Sequence, residues 1–224
     1  MINTQNNKPF YQIRLFLFPI IKRSIDILGS AVLLIIFSPI ILPISFLIAI
    51  TSPGPVIFKQ KRVGKNSQPF FMYKFRSMYI GDNDKFLREK DPVLWKKYKD
   101  AGWKLPMKED PRITPIGRFI RSTSIDESPQ FINVLKGEMS LVGPRAYREE
   151  ELQEYEKIYP KSKPNIDIIR TAKPGISGLW QVSGRNELNF EQRAQLDAKY
   201  IQNRSIAQEI FILLKTPFHM LSNW

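Results

Sequence analysis

The segment Arg118-x-x-Arg121-Ser122-Thr123-Ser124-Ile125-Asp126-Glu127-Ser128-Pro129-Gln130 sets two adjacent carboxylates behind two arginines. A helix N-terminus with arginines nearby suits a phosphate group or a reactive carboxylate. The same spacing also fits carboxylates that complement a helix dipole beside solvated arginines, and spacing alone favours that second reading. A second segment, Lys136 to Arg145, flanks an apolar strand with Gly137 and Gly143 and delivers Arg145 from a turn. A cation held that way can be aimed at a phosphate, although turns also carry arginines for solubility. A third segment, Lys173 to Asn186, is a glycine-punctuated polar loop that matches neither a Walker A loop nor a Rossmann fingerprint.

Composition narrows the chemistry further. The chain has no cysteine, which removes disulfides, thiol nucleophiles and Cys-type zinc sites. Its one histidine, His219, sits in the apolar stretch Phe211 to Leu221, so a Ser-His-Asp triad or a multi-histidine metal site is excluded and carboxylates must carry any acid–base, nucleophilic or metal chemistry. The net charge of +13 over 224 residues calls for an anionic partner. No recognition-helix or RNA-binding motif accompanies that charge, and nucleic acid is not expected.

The elements that must position these groups are legible in outline. From Ile27 to Ile50 no residue is charged, over more than the ~20 residues needed to cross a bilayer. Pro39 and Pro43 interrupt the middle of this run, with Ser38 just before the first, so a bend is expected there. Arg14, Lys22 and Arg23 precede the run and Lys59, Lys61, Arg62 and Lys65 follow it. Positive flanks prefer the cytoplasm, so a helix that enters and leaves on one face fits, provided Ser38 or its neighbours cover the freed carbonyls. An ordinary kinked span fits almost as well. Val56–Val63 and Phe70–Phe75 are rich in β-formers and read as a hairpin closed by Gly64 to Pro69. Residues 82–108 read as a helical insertion bearing Phe86, Leu87, Leu94, Trp95, Tyr98 and Trp103. Ser124 is expected to cap a helix from about Ile125 to Lys136, stopped by Gly137; a second helix covers Arg148 to Tyr159. The tail from Asn189 to Leu221 is helical in pattern, broken at Pro217, with an apolar end suited to a membrane surface.

Taken in order, these segments resemble the bacterial sugar transferase family, the monotopic phosphoglycosyl transferases, from about Lys22 to the C-terminus. The resemblance is carried by Pro53 to Gly64, Tyr73-Lys74-Phe75-Arg76-Ser77-Met78, the Asp126-Glu127 segment and Asn133 to Arg145. It implies an α+β fold: one helix-rich domain over 1–224 with a small β-hairpin, a re-entrant membrane helix at about 22–50 broken at Ser38-Pro39, and a cytoplasmic catalytic body at about 51–224. It further implies transfer of a sugar 1-phosphate from a UDP-sugar to undecaprenyl phosphate with release of UMP, early in surface polysaccharide or glycoconjugate synthesis. Gly178 to Asn186 looks like the hexose 1-phosphate branch, galactose above all. By the same resemblance Asp126 is the nucleophile and a magnesium ligand, Glu127 its catalytic partner, and Arg121 and Arg145 lie near the substrate phosphates. Lys59, Lys74 and Arg76 are candidates for the same pocket, with surface solvation an equal reading. The chain departs from the family pattern at Ser128, usually Leu, and Ala146, usually Pro, which bears on local packing. It looks like the minimal catalytic form. Expected partners are a UDP-sugar, undecaprenyl phosphate and the bacterial inner membrane, with a homo-oligomer compatible. The competing class is a non-catalytic adaptor that binds anionic lipid through the basic flanks; the intact Asp126-Glu127 pair argues against it.

Overall fold

A computed structural model describes the backbone of residues 9–101, 105–184 and 187–221, and side chains for residues 16–101, 105–184 and 187–218. Trp103, Arg185, Asn186 and the side chains of Arg14 and His219 lie outside these described parts.

Helix α1 (Pro9–Thr51) contains the uncharged run and is the one described helix long and apolar enough to cross a membrane. Its helical backbone continues through Pro39 and Pro43, so the expected break at Ser38-Pro39 does not interrupt it. Pro39 has no N–H to give Ile35, and the Ser38 hydroxyl donates to that carbonyl instead, at 2.8 Å. Leu28, Val32, Ile35, Leu42, Phe46 and Ile50 are exposed on the outer side, an apolar face suited to lipid. The inner side packs on the rest of the chain from Ile25 and Phe37 to Ile44 and Ile48. That packing makes both flanks of the apolar run neighbours of one body.

Polar residues fasten both ends. Asp26, buried, accepts from the Ser140 hydroxyl and the Leu141 N–H at 2.9 Å each. Lys22 donates to Val142 O at 3.0 Å and Glu209 at 2.6 Å, while Arg23 donates to Val134 O and Leu135 O at 2.7 and 2.8 Å.

Strands β1 (Ile57–Val63) and β2 (Pro69–Phe75) form the expected antiparallel hairpin, in register from Ile57 opposite Phe75 to Val63 opposite Pro69. Phe70 and Met72 turn inward onto Phe131 and Val134. The charged insertion divides at Asp91-Pro92 into α2 (Asn83–Lys90) and α3 (Pro92–Asp100), each N-capped by an aspartate, Asp82 and Asp91. Helix α4 (Pro115–Ser122) leads into a 3-10 turn, Ile125–Glu127, and then α5 (Gln130–Lys136).

The helix expected from Ile125 therefore starts five residues later, and Ser124 does not cap it. Ser124 adopts a left-handed conformation (φ 56) and makes no side-chain cap bond. Gly137, at φ 81, ends α5 as the sequence anticipates.

Strand β3 (Ser140–Val142) pairs in parallel with β4 (Gly175–Ser177), a partner that the glycine-rich loop concealed. Between them lie α6 (Glu149–Ile158), on the expected segment, and α7 (Lys163–Arg170). The chain continues with α8 (Leu179–Ser183), α9 (Phe190–Asn203) and α10 (Ile206–Leu221). The tail thus breaks at Arg204, whose backbone is extended (ψ 137), and α10 runs through Pro217. The architecture is α+β and rich in helix, with small sheets beside one long apolar helix.

Candidate functional site

Asp126 is buried in the 3-10 turn between α4 and α5. Two devices set it there. The left-handed Ser124 swings the chain inward after α4, a conformation that costs a residue with a Cβ on the order of 1 kcal/mol and that collects at functional sites. Asn133, fully buried, then docks α5 against the hairpin: it accepts from Tyr73 N–H at 2.9 Å and donates to Phe71 O at 2.8 Å. That contact brings Lys74 of β2 up to the turn, where its ammonium lies 2.6 Å from Glu127 Oε1.

Burial pushes the Asp126 carboxyl up to about 6; Lys74 opposes this, the adjacent Glu127 adds to it, and Arg121 in the last turn of α4 again opposes it. The result is a carboxylate ionised at neutral pH but costly to keep so, surrounded by two cations and a second carboxylate. Such a group is poised to accept an electrophile, because covalent capture removes the buried charge.

Arg145 follows the turn at Gly143-Pro144, where β3 and β4 run so close that a Cβ on Gly175 would meet the Gly143 nitrogen at 2.1 Å. Its N–H donates to Asp197 at 3.1 Å and its guanidinium lies 3.7 Å from Glu151. Glu127 acts electrostatically on Arg145, so the carboxylate pair and Arg145 share one electrostatic neighbourhood.

The other candidates part company. Arg76 is buried at the end of α1, donating to Ser52 O and Oγ at 2.7 and 2.9 Å, to Pro53 O at 2.9 Å and to Ile48 O at 3.2 Å. Neither phosphate binding nor surface solvation describes it; it caps the membrane helix, satisfying carbonyls that the helix leaves unpaired. Lys59 pairs across the hairpin with Tyr73, whereas Lys74 pairs with Phe58. Successive strand residues face opposite ways, so Lys59 is exposed on the side away from Lys74 and is not brought to the carboxylates.

Sequence reasoning missed the charged groups buried behind Arg145. Arg193 and Asp197 stand on the inner face of α9 among Phe190, Ala194 and Ala198, and Glu151 on the inner face of α6. Two charges at i and i+4 on the apolar stripe of a helix were the available signal. Of the departures noted above, Ser128 is buried with no partner for its hydroxyl among the described residues, and Ala146 packs in the core while its carbonyl accepts from Arg62 at 2.9 Å.

Among the described residues no three His, Cys, Asp or Glu side chains gather as a ready ligand set for a metal. Asp126 and Glu127 offer two adjacent carboxylates, and the charge of Glu127 raises the cost of ionising Asp126. This donor set fits magnesium, which takes one or two carboxylates and fills its shell with substrate phosphate and water.

The site is thus a buried carboxylate, Asp126, with a half-buried carboxylate and two cations beside it, in a body packed on one long apolar helix. The family profile described as bacterial sugar transferase matches residues 17–223, and the chain belongs to that family. It is 42% identical over 198 residues to undecaprenyl-phosphate galactose phosphotransferase of Salmonella typhimurium, covering 88% of this chain and 39% of that protein. It is 35% identical over 204 residues to the UDP-glucose:undecaprenyl-phosphate glucose-1-phosphate transferase of Escherichia coli, covering 89% and 40%. The exopolysaccharide production protein ExoY of Rhizobium meliloti is 37% identical over 195 residues, covering 87% of this chain and 83% of ExoY. The chain spans about two fifths of the length of the Salmonella and Escherichia proteins.

Proposed function

We propose that this chain transfers a hexose 1-phosphate, galactose or glucose, from a UDP-sugar to undecaprenyl phosphate, at the cytoplasmic face of the bacterial inner membrane. The observation that carries the reading is the burial of Asp126 beside Glu127, Lys74 and Arg121 in a member of this family. The names of the relatives supply the galactose and glucose donors and the lipid acceptor. The packing of both flanks of α1 on one body supports a monotopic placement.

In the first half-reaction an oxygen of the Asp126 carboxylate attacks the sugar-linked phosphorus of the UDP-sugar. The bond from that phosphorus to the bridging oxygen breaks, and UMP leaves with the oxygen and its electron pair. Asp126 then holds the sugar phosphate as a mixed anhydride. In the second, a phosphate oxygen of undecaprenyl phosphate attacks the same phosphorus and displaces the carboxylate, giving the lipid diphosphate sugar and free Asp126. Arg121, Lys74 and Arg145 offset the repulsion between a carboxylate and a diphosphate that is already negative. Glu127, next to the nucleophile and held by Lys74, positions the acceptor phosphate or takes a proton from it. Bound magnesium, held by Asp126 with Glu127 alongside, would supply further neutralisation of phosphate charge.

The test is intact mass measurement after exposure to UDP-sugar and magnesium without acceptor. An adduct of one sugar phosphate mapping to Asp126, with about one equivalent of UMP, is expected. An active preparation that forms no adduct and requires both substrates bound together would overturn the covalent mechanism.

A further inference from the structure

Arg145 is half-buried and Arg76 buried, and the two arginines are held in opposite ways. The guanidinium of Arg76 is spent on four carbonyl and hydroxyl contacts. Arg145 instead makes no side-chain hydrogen bond among the described residues. The centre of its guanidinium lies 5.8 Å from the Trp180 ring and 5.7 Å from the Tyr147 ring, and its nearest carboxylate is at 3.7 Å. The fixed point is its main chain, through the 3.1 Å bond to Asp197.

Asp197 belongs to a buried frame. Arg193 stands one turn before it on α9, with its guanidinium 5.4 Å from the same Trp180 ring that Arg145 approaches. Burial and then the charge of Arg145 lower the Arg193 pKa, as two guanidinium groups sharing one aromatic neighbour require. The frame carries more cation than its carboxylates balance: Arg62, Arg145 and Arg193 face Glu151 and Asp197. Burial pushes the Asp197 carboxyl up to about 8, so that it is largely protonated at neutral pH, and Arg62, like Arg193, is pushed down, to about 10, chiefly by burial.

We propose that Asp197 and Arg193 are positioning residues for Arg145: Asp197 fixes its backbone, and Arg193 across Trp180 confines its guanidinium, leaving the donors of Arg145 for the donor substrate's phosphates. The proposal rests on the reading of Arg145 as a phosphate-binding residue. Neither partner touches substrate. The surplus positive charge strengthens the grip of Arg145 on an incoming dianion, because charges in a water-poor site are weakly screened.

The experiment is a double-mutant cycle on the full chain in detergent or nanodiscs, reading the KM for UDP-sugar and the rate of UMP release separately. Asp197→Ala and Arg193→Met are each expected to raise the donor KM about tenfold while changing the rate at saturating donor by less than about threefold. Asp197→Asn keeps an acceptor for the Arg145 N–H and should recover most of the loss. In an Arg145→Ala background, Asp197→Ala should add little, since residues acting through one group are not additive. Full additivity there, or an Asn variant as impaired as the Ala variant, overturns the positioning role and leaves the function standing. If Arg145→Ala alone leaves the donor KM unchanged in an active enzyme, the phosphate-binding reading has failed first. If Asp197→Ala does not fold, Arg193→Met and Asp197→Asn carry the same cycle.

Discussion

Replacing Asp126 by Asn should abolish turnover and at the same time stabilise the protein at neutral pH. The carboxyl's ordinary pKa is 3.8 and burial raises it to about 6 in the folded chain. The folded state therefore holds its proton to higher pH than the unfolded state does, and stability falls as pH rises from about 4 through about 6. Above that window the penalty is fully present, and the gap corresponds to about 3 kcal/mol. An amide of the same shape escapes it. For a chain of this length, with about 2–4 °C in Tm for each kcal/mol, the variant should melt about 6–12 °C higher at pH 7.5 and level with the parent near pH 4. Intrinsic fluorescence from the four tryptophans can follow both melts. Loss of the nucleophile should cost on the order of a thousandfold or more in UMP release. This separates the two readings of the carboxylate pair, because a carboxylate that merely complements a helix dipole would lose roughly 0.3–1 kcal/mol on neutralisation. A variant less stable than the parent at pH 7.5, or a difference independent of pH, would refute the argument from burial.

Lys74 opposes the burial of Asp126, so Lys74→Met should raise the Asp126 pKa and move the acid limb of adduct formation to higher pH, read by single-turnover UMP release between pH 5 and 8. Arg76→Met should lower stability by roughly 2–4 kcal/mol, because it leaves the end carbonyls of α1 unpaired, while adduct formation per folded molecule stays near that of the parent; a folded variant that forms no adduct would return Arg76 to the substrate pocket. The cysteine-free chain suits topology mapping: single cysteines replacing the exposed Ser24 and Thr51 should both react with a membrane-impermeant maleimide from one side only, and a cysteine at Ser38 should be shielded by lipid. Labelling of Ser24 and Thr51 from opposite sides would establish a span.

What could be read from the sequence was what local chemistry controls. The hairpin from Val56 to Phe75, the stop at Gly137 and the helix over Arg148–Tyr159 follow from β-branched runs, a left-handed glycine and periodicity. The pairing of β3 with β4 was hidden because Gly175–Ser177 has three residues and its partner lies 35 positions earlier. The start of α5 was misjudged because Ser124 has a good capping side chain but a backbone turned to φ 56, a choice made by packing. For the same reason Arg76 and Arg145 look alike as basic residues after strands. Only tertiary contacts show that the terminal nitrogens of Arg76 are hydrogen-bonded to the end of α1, whereas the Arg145 guanidinium makes an ion-pair approach to Glu151 at 3.7 Å and no side-chain hydrogen bond among the described residues.

The anchoring of α1 bears directly on the chemistry. The groups that fasten its first half reach α5 and β3: Arg23 holds the last carbonyls of α5, and Asp26 holds Ser140 and Leu141. The group that fastens its second half, Arg76, sits two residues after Lys74, the cation paired with Glu127. Asp126 lies at the opposite end of α5 from Arg23, so its carboxylate is braced between the two clamps. A transfer from a water-borne donor to a lipid phosphate needs its nucleophile at a fixed height above the membrane, since the acceptor can move along the bilayer but not far out of it. Phe37 of α1, with its ring 6.4 Å from that of Phe131 in α5, ties the middle of the apolar helix to the same frame. Helix and site therefore form one mechanical unit, and under the proposed function the depth of α1 in the membrane would set where an acceptor phosphate meets Asp126.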